Sequence, residues 1–108
     1  MQAEIYHLSE QLGSALLQQG TTVTTAESCT GGGVAHAITA VAGSSSWFNC
    51  GFVTYANSAK QRMLGVPSDI IERDGAVSEA VVRQMAIGAA EEAGADYAVA
   101  ISGVAGPG

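Results

Sequence analysis

The stretch Thr24-Thr25-Ala26-Glu27-Ser28-Cys29-Thr30-Gly31-Gly32-Gly33 constrains the fold more than any other part of this 108-residue chain. A β-branched run over Thr21–Ala26 stops at polar residues, three glycines follow, and a helical pattern begins at Val34. A strand that turns sharply into a helix presents the side chain at the turn, Ser28, beside the unpaired N–H groups of the first helical turn. Two roles fit a hydroxyl there. Ser28 or Thr30 caps the helix, or Ser28 is a nucleophile with an oxyanion hole made from backbone.

The rest of the chain sets this turn in an α/β domain. Residues 3–19 carry Ile5, Leu8, Leu12, Ala15 and Leu16 at helical spacing, with Gly20 as the stop. A second helix is predicted from Thr30 or Gly31 to Val41, burying Val34, Ala37, Ile38 and Val41, and Gly43–Ser46 reads as a turn. The alternation over Trp47–Tyr55 predicts a strand. Short helical segments follow over Asn57–Leu64 and Ser68–Glu72. Ser78 caps a helix running to about Ala93, with Val81, Met85, Ala89 and Ala93 on one face, and Asp96–Ser102 is the last predicted strand. Helices alternating with β-branched strands predict a single domain, a three-layer α/β/α sandwich with a mixed, largely parallel sheet. Because the chain stops just after a strand, on Gly103-Val104-Ala105-Gly106-Pro107-Gly108, a domain lacking its last elements is expected.

Composition narrows the partners. A chain that is 47% hydrophobic and only 13% charged is globular. Its net charge of −6, with Lys60, Arg62, Arg73 and Arg83 as the only basic residues apart from two histidines, excludes a general nucleic-acid surface. No apolar run approaches the roughly 20 residues that span a bilayer. Met1-Gln2-Ala3-Glu4 lacks the opening of a signal peptide, so a cytoplasmic protein is expected. Cys29 and Cys50 lack CxxC spacing, and neither a zinc site nor a disulfide framework is expected.

A nucleophilic serine needs a base. His36 lies about 12 Å from Ser28 along a helix rising about 1.5 Å per residue, and His7 has no carboxylate at obvious spacing. Lys60 is the chain's one lysine. Near a helix start and partly desolvated, it would titrate low and serve as a neutral base; the alternative is an ordinary solvated lysine. The Tyr55 hydroxyl could converge with it, or Tyr55 could be an edge aromatic packed on the core. Cys29 is a rival nucleophile or a small buried residue. Trp47 and Phe48 close the core in preference to stacking a ligand. The segment Ser102–Gly108 could cradle a phosphate through its N–H groups, although it lacks the Gly-Lys-Ser/Thr ending of a P-loop.

Five blocks taken together resemble one family: Ala26-Glu27-Ser28-Cys29-Thr30-Gly31-Gly32, Gly43–Phe48, Gly51-Phe52-Val53-Thr54-Tyr55-Ala56-Asn57, Gly75-Ala76-Val77-Ser78-Glu79 and Ile101-Ser102-Gly103-Val104-Ala105-Gly106-Pro107. The chain is similar from about residue 5 to its end to the CinA C-terminal domain, whose stand-alone bacterial members are nicotinamide-nucleotide amidases. The resemblance implies hydrolysis of nicotinamide mononucleotide to nicotinic acid mononucleotide and ammonia, with no metal or cofactor. It implies Ser28 as catalytic serine, Lys60 as its base and Tyr55 as the catalytic tyrosine. Substrate contacts are expected from Thr30, Gly31, Gly32, Ser102, Gly103 and Gly106. A homo-oligomer is expected, and family domains continue beyond the Ser-Gly-Val-Ala-Gly-Pro block. The alternatives are a non-catalytic assembly module and a Ser-Lys hydrolase of another small amide.

Overall fold

A computed structural model describes residues 1–104. The elements are α1 (Ala3–Gln19), β1 (Val23–Glu27), α2 (Gly33–Thr39), a single 3-10 turn (Ser44–Ser46), β2 (Phe52–Val53), α3 (Asn57–Leu64), α4 (Ser68–Asp74), α5 (Glu79–Ala93) and β3 (Tyr97–Ile101). The three strands are ordered β2-β1-β3. Both pairings are parallel, with Ala26 opposite Phe52 and Ala100, in keeping with the largely parallel sheet expected. Parallel neighbours need crossovers. The β1-to-β2 crossover runs through α2, and the β2-to-β3 crossover through α3, α4 and α5.

Two apolar clusters show why the domain has three layers. Leu16, Val23, Ile38, Trp47 and Phe48 pack on the face covered by α1 and α2. Ala26, Leu64, Val66, Ile71, Val81, Met85 and Ala89 pack on the face covered by α3, α4 and α5. All five residues of the central strand β1 are buried. Successive side chains of a strand point to opposite faces, so Val23 and Glu27 belong to the α1/α2 side and Ala26 to the α5 side.

The long helices follow their sequence signals closely. The Ser78 hydroxyl accepts the Val81 N–H and caps α5, whose Val81, Met85 and Ala89 are fully buried. Gly88 lies on the same helix where it crosses the C-terminal end of α3, and a Cβ there would overlap the Leu64 carbonyl. Backbone cannot move aside as a flexible side chain can. Gly88→Ala should therefore destabilise the fold by about 2–3 kcal/mol, as overpacking does, read as a lower urea midpoint with an unchanged slope.

Three expectations are corrected. The predicted Trp47–Tyr55 strand shrinks to Phe52–Val53. Trp47 instead ends the 3-10 turn and is buried with Phe48. From Trp47 to Gly51 the chain lies beside β1 without a regular ladder. The Trp47 carbonyl accepts the Val23 N–H, while the Cys50 carbonyl is taken by the Thr24 hydroxyl at 2.7 Å. The second helix spans Gly33–Thr39, shorter than predicted at both ends. The apolar face of α1 is largely open: Ile5, Leu8 and Leu12 stay exposed and, with Val34, Ala37, Ile38 and Val99, line a groove of about 540 Å³. No helix among the described residues is long and apolar enough to cross a membrane.

Candidate active site at the carboxyl end of the central strand

Ligand sites of open parallel sheets lie beyond the carboxyl ends of the strands, and Ser28 is the first residue past β1. Its N–H donates to the Ile101 carbonyl at 2.9 Å, continuing the β1–β3 ladder by one rung. The chain then reverses through Gly31 (φ 59°) and Gly32 (φ 103°). A side chain would be strained at both. Ser28 is left only 7% exposed.

Lys60 comes to Ser28 from α3. The lysine is 1% exposed, and its Nζ lies 3.2 Å from Ser28 Oγ, 2.9 Å from the Thr54 carbonyl and 3.1 Å from the Tyr55 carbonyl. The Arg73–Asp74 and Arg83–Glu79 pairs are the ion pairs among the described residues, so Lys60 has no counter-ion there. Burial pushes its pKa below the ordinary 10.5. Protonation decides the hydrogen bonding. An ammonium donates to all three oxygens, whereas a neutral amine has two N–H groups and one lone pair. The two carbonyls can only accept, so they take both N–H groups. The lone pair is left for the one neighbour that carries a proton, the Ser28 hydroxyl.

Tyr55 meets Lys60 through its backbone. The residue is 68% exposed, its hydroxyl makes no hydrogen bond to Lys60, and the contact with the lysine is made by its carbonyl. His7 and His36 are exposed, consistent with their elimination as bases. Cys29 is half-buried, with its Sγ near Gly103.

Neither Ser28 nor Thr30 caps α2. That role belongs to Glu27, which local sequence reasoning passed over. Glu27 is fully buried, and its Oε1 accepts the Thr30 hydroxyl at 2.7 Å and the Val34 N–H at 2.9 Å, while Oε2 accepts the Ala35 N–H at 3.0 Å. Burial alone would raise its pKa. The hydrogen bonds from Thr30, Val34, Ala35 and Gly32 outweigh that and hold the carboxyl below its ordinary range. The fold thus presents Glu27 to α2 on one face of the sheet and Ser28 to α3 on the other. The signal available in sequence was a carboxylate seven and eight residues before the two N–H groups it caps, a spacing that only the turn makes meaningful.

The expected substrate contacts divide. The Gly31 N–H is spent on the Ser28 carbonyl at 3.1 Å, Gly32 is drawn to Glu27, and the Thr30 hydroxyl is committed to the same carboxylate. Among the described residues, the N–H groups of Cys29 and Thr30 have no protein acceptor. The Ser102 hydroxyl donates to the Ala76 carbonyl at 3.0 Å, tying the end of β3 to the loop before α5, and Gly103 abuts Cys29. Gly106 lies outside the described residues. No cluster of three or more His, Cys, Asp or Glu residues able to hold a metal occurs among the described residues.

Fold and site together define a parallel α/β protein with a buried serine–lysine pair at the carboxyl end of its central strand. The chain belongs to the CinA C-terminal domain family, whose family model matches residues 5–108. It is 62% identical over 105 residues to the nicotinamide-nucleotide amidohydrolase PncC of Escherichia coli K12, covering 97% of this chain and 64% of that protein. The nicotinamide-nucleotide amidohydrolase PncC of Pseudomonas putida is 56% identical over 93% of the chain and 62% of its own length. The chain therefore spans less than two thirds of the length of these relatives. Among solved structures, the competence/damage inducible protein CihA of Agrobacterium tumefaciens superposes with a TM-score of 0.97 at 45% identity, over 100% of this chain and 66% of that one. A CinA superfamily protein from Escherichia coli gives 0.94 at 43% identity, over 95% and 60%.

Proposed function

We propose that the chain carries the catalytic serine and lysine of an amidohydrolase that converts nicotinamide mononucleotide to nicotinic acid mononucleotide and ammonia. The observation that carries this reading is the contact set of Lys60: two carbonyls that can only accept and one hydroxyl that can donate. The names of the relatives at 62% and 56% identity supply the substrate.

In the proposed reaction, neutral Lys60 takes the proton of Ser28 directly, and Oγ attacks the carboxamide carbon. The oxyanion forms against the N–H groups of Cys29 and Thr30. Collapse breaks the C–N bond, Lys60 returns its proton to the leaving nitrogen, and ammonia departs. Water then gives a proton to Lys60 and attacks the ester carbon; the bond to Ser28 Oγ breaks, Lys60 returns the proton to Oγ, and the acid departs. Tyr55 acts through its carbonyl, holding the amine. Ser102, Gly103 and Gly106 are the candidates to face the sugar-phosphate. The chemistry is that of a cytoplasmic metabolic enzyme. The open α1 face and the edge of β3 left unpaired among the described residues, with Tyr97 and Val99 exposed, are proposed as the contacts of a homo-oligomer; Leu8→Glu should then lower the mass measured by light scattering.

Incubating the folded chain with nicotinamide mononucleotide and measuring ammonia tests the reading. Release of one ammonia per nicotinic acid mononucleotide is expected. A folded chain that releases none would favour a non-catalytic assembly module, and turnover of other small amides alone would point to a different Ser-Lys hydrolase.

A further inference from the structure

Within the reading of Ser28 as nucleophile, on which the inference rests, we propose that Glu27 is a positioning residue: it anchors the glycine turn from the opposite face of the sheet, so that the N–H groups of Cys29 and Thr30 stay aimed at the oxygen that develops charge beside Ser28.

The geometry supports this in three ways. Glu27 and Ser28 are consecutive, so a displacement of the turn relative to the carboxylate is passed directly to the nucleophile. The carboxylate holds the turn at both its start, through the Thr30 hydroxyl, and its far side, through the Val34 and Ala35 N–H groups. The residues between, Gly31 and Gly32, have no side chains with which to hold themselves. Of the N–H groups from Gly31 to Ala35, Gly31 donates to Ser28, Gly33 to Thr30, and Gly32, Val34 and Ala35 turn to Glu27. Donors that could have competed for the oxyanion, or for an anionic part of the substrate, are thereby withdrawn. The strand supports the anchor: the Glu27 carbonyl accepts the Thr54 N–H at 2.8 Å, so the same residue also fixes the segment whose carbonyls hold Lys60. Oxyanion donors must be placed before reaction to be effective, and the buried Glu27 carboxylate sets that placement from the far face of the sheet.

Glu27→Gln is the informative substitution. It keeps the shape, but its amide nitrogen must face a donor that the carboxylate accepted. The probe is diisopropyl fluorophosphate. Ser28 Oγ bonds to phosphorus, the P–F bond breaks, fluoride departs, and the serine proton passes to Lys60. Mass spectrometry locates the adduct, and the dependence of rate on probe concentration separates kinact from KI. The expected result is a fall in kinact of about 100-fold, the scale of losing one oxyanion donor, with KI unchanged and the circular dichroism spectrum intact. A purely structural role would lower the melting temperature and leave kinact within threefold of wild type, which would overturn the proposal. If Glu27→Gln does not fold, Thr30→Val removes a single arm and is expected to lower kinact about tenfold; an unchanged kinact there overturns the proposal equally. Wild type left unlabelled at Ser28 would instead overturn the nucleophile assignment, and the role of Glu27 with it.

Discussion

Ser28→Ala is expected to lower ammonia release from nicotinamide mononucleotide by about a thousandfold or more while the chain keeps its fold. The substitution removes one oxygen from a site in which the remaining partners of Lys60, the Thr54 and Tyr55 carbonyls, are backbone and stay in place. A thousandfold loss is about 4 kcal/mol of transition-state stabilisation, the least expected when a covalent route is closed and only binding and orientation remain. Steady-state rates with circular dichroism as the folding control measure it. Equal activity in Ser28→Ala would remove the nucleophile from the account.

Lys60→Met is expected to cost about 10²- to 10⁴-fold, the range of a positioned general base. The pH dependence identifies the cause. The base must be neutral, so wild-type activity should rise with pH through a midpoint below the ordinary lysine value of 10.5, the direction in which burial moves it. In Lys60→Met that rise should vanish. Stability follows the same titration. Between the lowered folded pKa and 10.5 the unfolded chain binds the extra proton, so wild-type stability should climb with pH across that window and level off above it. The substituted chain should lose this slope. It also leaves the buried Thr54 carbonyl without its donor, at about 1–3 kcal/mol, so chemical denaturation should accompany the kinetics. A wild-type rate that is flat with pH, or a slope retained in Lys60→Met, would assign the titration elsewhere.

Side-chain periodicity and caps made most of this fold legible. The apolar spacing and Ser78 cap of α5, the Gly20 stop of α1 and the bounds of α3 depend on neighbours in sequence, and the structure reproduces them closely. Features that depend on backbone groups or distant neighbours were less legible. The alternation over Trp47–Tyr55 is real, yet a strand also needs backbone N–H and C=O groups paired in a regular ladder, and with β1 only Phe52–Val53 form one. At the site, elimination of the histidines and the family resemblance led to Lys60 and Ser28. That Tyr55 meets Lys60 through its carbonyl could not be read from the sequence, because a carbonyl is common to every residue. Glu27 escaped notice because a carboxylate at a strand end looks like a turn residue until the glycine turn folds α2 back over it.

In the proposed reaction, hydrolysis passes through an ester on Ser28. Rapid acid quenching during turnover of nicotinamide mononucleotide, followed by peptide mass spectrometry, tests it directly. A substrate-derived acyl group should appear on Ser28 before steady state and be absent in Ser28→Ala. An acyl group on Cys29, or turnover with no acylated peptide when breakdown of the ester has been slowed, would contradict it.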